Sequence, residues 1–258
     1  MTADERLALI RRKIEWAETH LKNLEAVRDR FIQSKPYTVG SEPDSKTGHE
    51  GLYVYYPTSI KEVDPRIALI AGDIIHNLRS ALDHLACQLV EVAGNSISDQ
   101  TMFPIAKGDS ISEPSFRGKV QGMRQAAQDK IRGVEPYKGG KRHDLWVLHK
   151  LDIADKHHAL LTTIMRVGEI EITVEGSFLR GDFRLPTPRF AAPNFGKMLE
   201  VGKPFVTCEP EEYEKMQITF DVAIIEPGVI ERKPVVWAMK YLIDKVDSLI
   251  LSFKPLLG

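Results

Sequence analysis

One stretch constrains this chain more than any other: Ala71-Gly-Asp-Ile-Ile-His-Asn-Leu-Arg-Ser-Ala-Leu-Asp-His-Leu-Ala-Cys-Gln-Leu. Turned by about 100° per residue, it sets Ile74, Leu78, Leu82, Leu85 and Leu89 on one side of a helix. Asp73, His76, Asn77, Ser80, His84 and Cys87 gather on the other. A helix face open to water is usually rich in Lys and Glu, yet no lysine occurs between Ala71 and Val90. Short side chains that donate and accept hydrogen bonds suit an interior network, a specific interface or a site. The helix, from about Pro65 to Val92, therefore packs its apolar face on the rest of the chain and keeps its polar face for one of these three uses.

Other helices are at hand. From about Asp4 to Gln33, Leu7, Ile10, Ile14, Ala17, Leu21, Leu24 and Phe31 recur at three- and four-residue steps, a stripe made to lie against other helices. Thr2 and Glu5 have capping-box spacing at its start. A short helix is expected from Ser115 to Lys130, a longer one from Asp144 to Thr162, and a last one from Pro234 to Phe253. The last carries Met239, Leu242, Val246, Leu249 and Phe253 on one face, and Trp16, Trp146 and Trp237 read as core residues of these helices. Between the last two helices the period changes. Ile170, Ile172 and Val174, then Met216, Ile218, Phe220, Val222 and Ile224, alternate with polar residues or threonine as half-buried antiparallel strands do. The polar, turn-rich stretch from Ser34 to Val63 offers at most one short strand, Leu52 to Tyr56.

The expected fold is mainly α (α+β), an antiparallel bundle of four to five helices with a small antiparallel β-sheet inserted before the C-terminal helix. Residues 1–258 then form a single domain, with 1–165 and 233–258 as the helical bundle and 166–232 as the β insertion. The 35 basic and 36 acidic side chains give a net charge of -1, so nucleic acid would have to be held by a local patch. Two cysteines and a charged start without an apolar core point to the cytoplasm, and no apolar run is long enough to span a membrane.

Two clusters complete the candidate site. On the fourth of these helices the same rotation brings His149, Asp152 and Lys156 to one side. There Asp152 could orient the His149 imidazole. Before it, Lys138, Lys141, Arg142 and His143 form a basic cluster at a helix start, where free backbone donors favour an anion. On the second helix Arg79 and Asp83 have the spacing of an i,i+4 ion pair.

The segments GDIIHNLRSALDHL (Gly72 to Leu85) and LHKLDIADKHHAL (Leu148 to Leu160) resemble those of a widespread group of uncharacterised bacterial and phage-related proteins. That group pairs an HNLRSALDHL-like helix with a later DKH-containing one. More distantly the chain resembles the HEPN superfamily. Many HEPN proteins are metal-independent RNA endonucleases with an arginine followed, after four to six residues, by a histidine, and they meet as dimers in a composite cleft. Arg79 with His84, and Arg142 with His149, satisfy that spacing. The resemblance implies RNA binding or RNA cleavage, with Arg79, His84, His149 and Asp152 as catalytic candidates. Lys138, Lys141, Arg142 and Lys156 would hold the RNA backbone.

On one regular helix, however, Arg79 and His84 point about 140° apart, so joint action calls for a homodimer. The alternative is a non-catalytic helical module that dimerises or binds a protein partner through Asp73, His76, Asn77 and Ser80. No Glu-x-x-His pair occurs on either helix, and neither a metal nor a cofactor is expected.

Overall fold

The computed structural model describes residues 1–46, 50–106, 108, 110–157, 161–174, 177–180, 190–191 and 198–258. In chain order the elements are α1 (Ala3–Gln33), β1 (Tyr37–Pro43), β2 (Tyr53–Ile60), α2 (Pro65–Val92), α3 (Glu113–Val120), α4 (Gln125–Val134) and α5 (His143–His157). They continue with β3 (Thr162–Val174), β4 (Ser177–Arg180), β5 (Phe190–Ala191), β6 (Val206–Cys208), α6 (Pro210–Glu214), β7 (Met216–Glu226), β8 (Ile230–Pro234) and α7 (Val235–Ser252).

Local chemistry sets the ends of the long helices. At α1 the Thr2 hydroxyl accepts from the Glu5 amide at 3.2 Å, while the Glu5 carboxylate accepts from the Thr2 amide at 2.7 Å. This reciprocal cap satisfies two donors that a helix start otherwise leaves open. Asp64 caps α2 by accepting from the Arg66 amide at 2.9 Å, and Pro65 occupies the first turn, where its missing N–H costs nothing. Gly94, at φ +76°, takes the left-handed conformation just past the end of α2. α1 runs antiparallel to α2, since Arg6 reaches Gln88 and Glu91 whereas Lys13 reaches Asn77. α7 packs on both, and α5 packs on α2 and α7. Leu7, Ile10 and Ile14 of α1, Ile74, Leu78 and Leu82 of α2, and Met239, Leu242 and Val246 of α7 are all buried in this core.

The structure corrects the expected fold class. Among the described residues the chain is α+β, with seven α-helices and two four-stranded antiparallel sheets, rather than a four- to five-helix bundle with one inserted sheet. The first sheet has the order β1-β2-β6-β5, and its first two strands lie between α1 and α2 in a stretch that reads as turns. β1 contains Gly40, Ser41 and Pro43 and is largely exposed, as an edge strand can be. Pro57 of β2 falls beyond Tyr53–Tyr55, the residues that pair with β6. The start of β2 coincides with the expected short strand Leu52 to Tyr56, whereas β1 becomes a strand by pairing with it, which no local pattern reports.

The second sheet, β4-β3-β7-β8, starts at Thr162, so α5 ends earlier than its apolar pattern suggests. The expected helix from Ser115 to Lys130 is two, α3 and α4, parted by a turn in which Gly122 stands at φ +87°. The sheets meet through aromatic rings: Phe220 of β7 lies 4.2 Å from Tyr37 and 5.5 Å from Phe205, centroid to centroid.

A second correction concerns the tryptophans. Trp146 is core, at 4% exposure, but Trp16 and Trp237 stand open at 55% and 51%. Among the described residues no helix is long and apolar enough to cross a membrane.

Candidate functional site

α2 is enclosed along nearly its whole length. Its exposed or half-buried edge is the row Leu69, Asp73, His76, Ser80, Asp83, His84, Cys87 and Glu91. Two polar residues beside that row turn inward to hold α1. Asn77 donates to the Asp73 carbonyl at 2.8 Å and accepts from Lys13 at 3.5 Å. Gln88 accepts from Arg6 at 2.7 Å.

Arg79 is the deepest charge of α2, only 6% exposed. Its Nη2 donates to the Phe103 carbonyl at 3.0 Å and pairs with Asp83 Oδ1 at 2.9 Å. The same Asp83 oxygen accepts from the Phe103 amide at 2.9 Å. The expected Arg79–Asp83 pair is therefore present, and it clamps the chain after α2 by both backbone groups of Phe103. Burial lowers the guanidinium pKa and raises that of Asp83, against the mutual attraction of the pair. Arg79 Nη1 is buried without a hydrogen-bond partner.

α5 meets this face at Gly72, where a Cβ would come within 2.5 Å of an Asp155 carboxylate oxygen. That close approach brings the two polar rows into one seam. Asp152, buried, accepts from Lys156 Nζ at 2.8 Å and lies 3.6 Å from His76 Nδ1. His149 was expected to be oriented by Asp152, yet its Nδ1 is buried and unpartnered. Desolvation and the neighbouring Arg79 charge push the His149 pKa down to about 4, so the imidazole is neutral at pH 7. Burial, Asp152 and Asp73 raise the Asp155 pKa.

Arg79, Asp83, His149, Asp152, Lys156 and His76 thus share one seam within a single chain. His84 does not join Arg79: it lies on the exposed edge while Arg79 is enclosed. Asp73 is exposed on the same edge and Ser80 is half-buried. Four carboxylates (Asp73, Asp83, Asp152 and Asp155) outnumber the cations Arg79 and Lys156 here. With carboxylates in excess, the seam is a poor anchor for phosphate.

The basic cluster is largely neutralised. Arg142 donates to Asp144 from Nε at 3.1 Å and from Nη2 at 2.9 Å, and Nη2 also reaches the Lys245 carbonyl at 2.7 Å, which ties α5 to α7. Lys141 pairs with Glu135 at 2.5 Å. Lys138 lies over the Trp146 ring, 5.5 Å from its centroid.

Around that cluster is a surface the sequence reading missed. Trp237 and Tyr241 of α7 stack at 5.2 Å and 14°, with Lys233 over Trp237 at 5.6 Å and Lys245 over Tyr241 at 5.1 Å. On α5, His143 stacks on Trp146 at 5.1 Å, and Lys150 approaches the same indole at 5.7 Å. Between these groups lie two pockets that share Val229 in the β7–β8 turn. One, of about 340 Å³, is walled by His143, Val147, Ile230, Lys233, Trp237 and Tyr241. The other, of about 410 Å³, is walled by Lys138, Trp146, Lys150 and Glu226. A signal for this face was present: Trp237 and Tyr241, four residues apart, fall opposite the Met239–Leu242–Val246 stripe of α7.

Among the described residues no group of three or more His, Cys, Asp or Glu side chains is placed to hold a metal ion. No protein-family model, curated protein or solved structure matches the chain.

Proposed function

We propose that this chain is an RNA-binding protein whose contact surface is the basic, aromatic face of α5, α7 and the β7–β8 turn. The observation that carries this reading is the open Trp237–Tyr241 stack with a lysine at each end. Proteins that hold single strands combine ring faces for the bases with cations along the backbone. Lys138, Lys150, Lys233 and Lys245 supply that charge locally in a chain whose net charge is -1. Fluorescence anisotropy of a labelled 12-mer RNA tests it. The double variant Trp237→Ala, Tyr241→Ala should lose about tenfold or more in affinity, given roughly 1–3 kcal/mol for each stacked base. Affinity untouched by both substitutions would remove the reading.

A second reading, metal-independent cleavage of the bound RNA, is favoured by the approach of His76 Nδ1 to the buried Asp152 carboxylate. A histidine beside a carboxylate can take the proton of a ribose 2′-hydroxyl. The 2′-oxygen then attacks the adjacent phosphorus to form a 2′,3′-cyclic phosphate, the bond from phosphorus to the 5′-oxygen breaks, and that oxygen leaves with a proton from water. Arg79, His149 and Lys156 line the same seam, while His84 stands on its exposed edge. In EDTA, His76→Ala and Asp152→Asn should abolish cleavage while binding persists. Cleavage that survives both substitutions would leave the seam a structural network.

A further inference from the structure

We infer that the 340 Å³ pocket between α5, α7 and β8 receives one unpaired base, which confines binding to single-stranded RNA. The inference rests on the RNA-binding reading and adds the form of nucleic acid that the surface accepts.

Three features of the pocket fit a base better than a stretch of duplex. Its walls are flat and apolar, from Trp237, Tyr241, Val147 and Ile230, and its volume of about 340 Å³ lies at the small-ligand end of the range for binding pockets. Its lining also carries polar side chains, among them His143 and Lys233, that can meet the hydrogen-bonding edge of a base. The bases of a duplex are stacked and paired, and extruding one costs a few kcal/mol. An unpaired base avoids most of that cost.

The lysines explain how the ring faces become available. Lys233, Trp237, Tyr241 and Lys245 form a ladder at four-residue intervals, cation–ring–ring–cation, running onto and along α7. An exposed cation–π contact is weaker than a base stacked on the same ring. A phosphate can therefore draw Lys233 off the indole, and a base can take the face it leaves. The ammonium and the ring then serve neighbouring parts of one nucleotide.

The probes are a labelled oligoadenylate 12-mer and a 12-base-pair RNA duplex, each titrated at 50 mM salt. Wild type should bind the single strand at least tenfold more tightly. Val229→Trp, which fills the pocket from the hairpin turn and leaves every lysine in place, should erase that preference while duplex binding stays as it was. Trp237→Ala, at an open position where folding is not at risk, should also erase the preference, by lowering single-strand binding about tenfold as a wall is lost. Equal binding of the two probes by wild type, or a preference retained in both variants, would overturn the base pocket and leave the RNA-binding reading standing. A wild type that binds neither probe would overturn both.

Discussion

Arg79 is enclosed, and His149 is half-buried near enough to feel its charge, which disfavours a second cation there. Arg79 keeps its proton because Asp83 and the Phe103 carbonyl face it. His149 loses its own because burial and the Arg79 charge both oppose an imidazolium. The unfolded chain carries an ordinary histidine, near 6.5. As pH falls below that value the unfolded state takes up a proton that the folded state refuses, so stability present above pH 6.5 is lost progressively toward pH 4. Asp83, Asp155 and Asp221 work the other way, since their raised values favour the folded state on acidification. The histidine contribution is therefore isolated by difference. Between pH 7.5 and pH 5, wild type should lose about 1–2 kcal/mol more than His149→Gln, a range that allows for partial solvent screening. Urea titrations at the two pH values measure it, and parallel losses in the two proteins would show that His149 titrates normally.

α2 shows what a sequence tells and where it stops. Its limits were legible because Pro65 and Gly94 are required by backbone geometry at those positions, and its polar row was legible because short polar groups in a row are unusual. The partners within the seam were not. Helical rotation supplies directions, not distances, so it does not report that Asp152 meets His76 and Lys156, or that the Asp155 carboxylate occupies the space a side chain at Gly72 would fill. The expectation that Arg79 and His84 could not serve one centre within a chain follows from rotation alone and agrees with their different burial. β2 was legible in part, as the short strand Leu52 to Tyr56, but β1 and the end of β2 were illegible for another reason. Gly40, Ser41, Pro43 and Pro57 carry the signature of turns, and only the ladder from Tyr37↔Ile60 to Pro43↔Tyr53 makes them strands. Trp237 and Tyr241 fall opposite the apolar stripe of α7, but an aromatic residue on an amphipathic helix is more often core than surface, so composition points away from the exposure they show.

The two sheets come from interleaved stretches of chain: β1 and β2 precede α2, whereas β6 follows β3 and pairs with β2. The first sheet therefore cannot be cut out as a continuous segment, the stretch that holds the second also carries β5 and β6, and their contact is made by side chains from distant parts of the sequence. Phe220 is at the centre of that contact. It belongs to β7, touches Tyr37 of β1 and Phe205 just ahead of β6, and is nearly enclosed. The next residue, Asp221, takes Arg28 of α1 at 3.3 Å, so the same point also ties the helical core to the second sheet. Removing the Phe220 ring deletes contacts to both partners and leaves a space that three different elements would have to move to fill. Phe220→Ala should cost about 3–5 kcal/mol. If helices and sheets fold as one unit, urea unfolding followed by far-ultraviolet circular dichroism and by tryptophan fluorescence should shift to the same lower midpoint. Separated midpoints would mean that the sheets melt while the helical core of α1, α2 and α7 survives. In that case the base pocket, built from β8 and the β7–β8 turn as well as from α5 and α7, would lose its hairpin wall before the helices unfold.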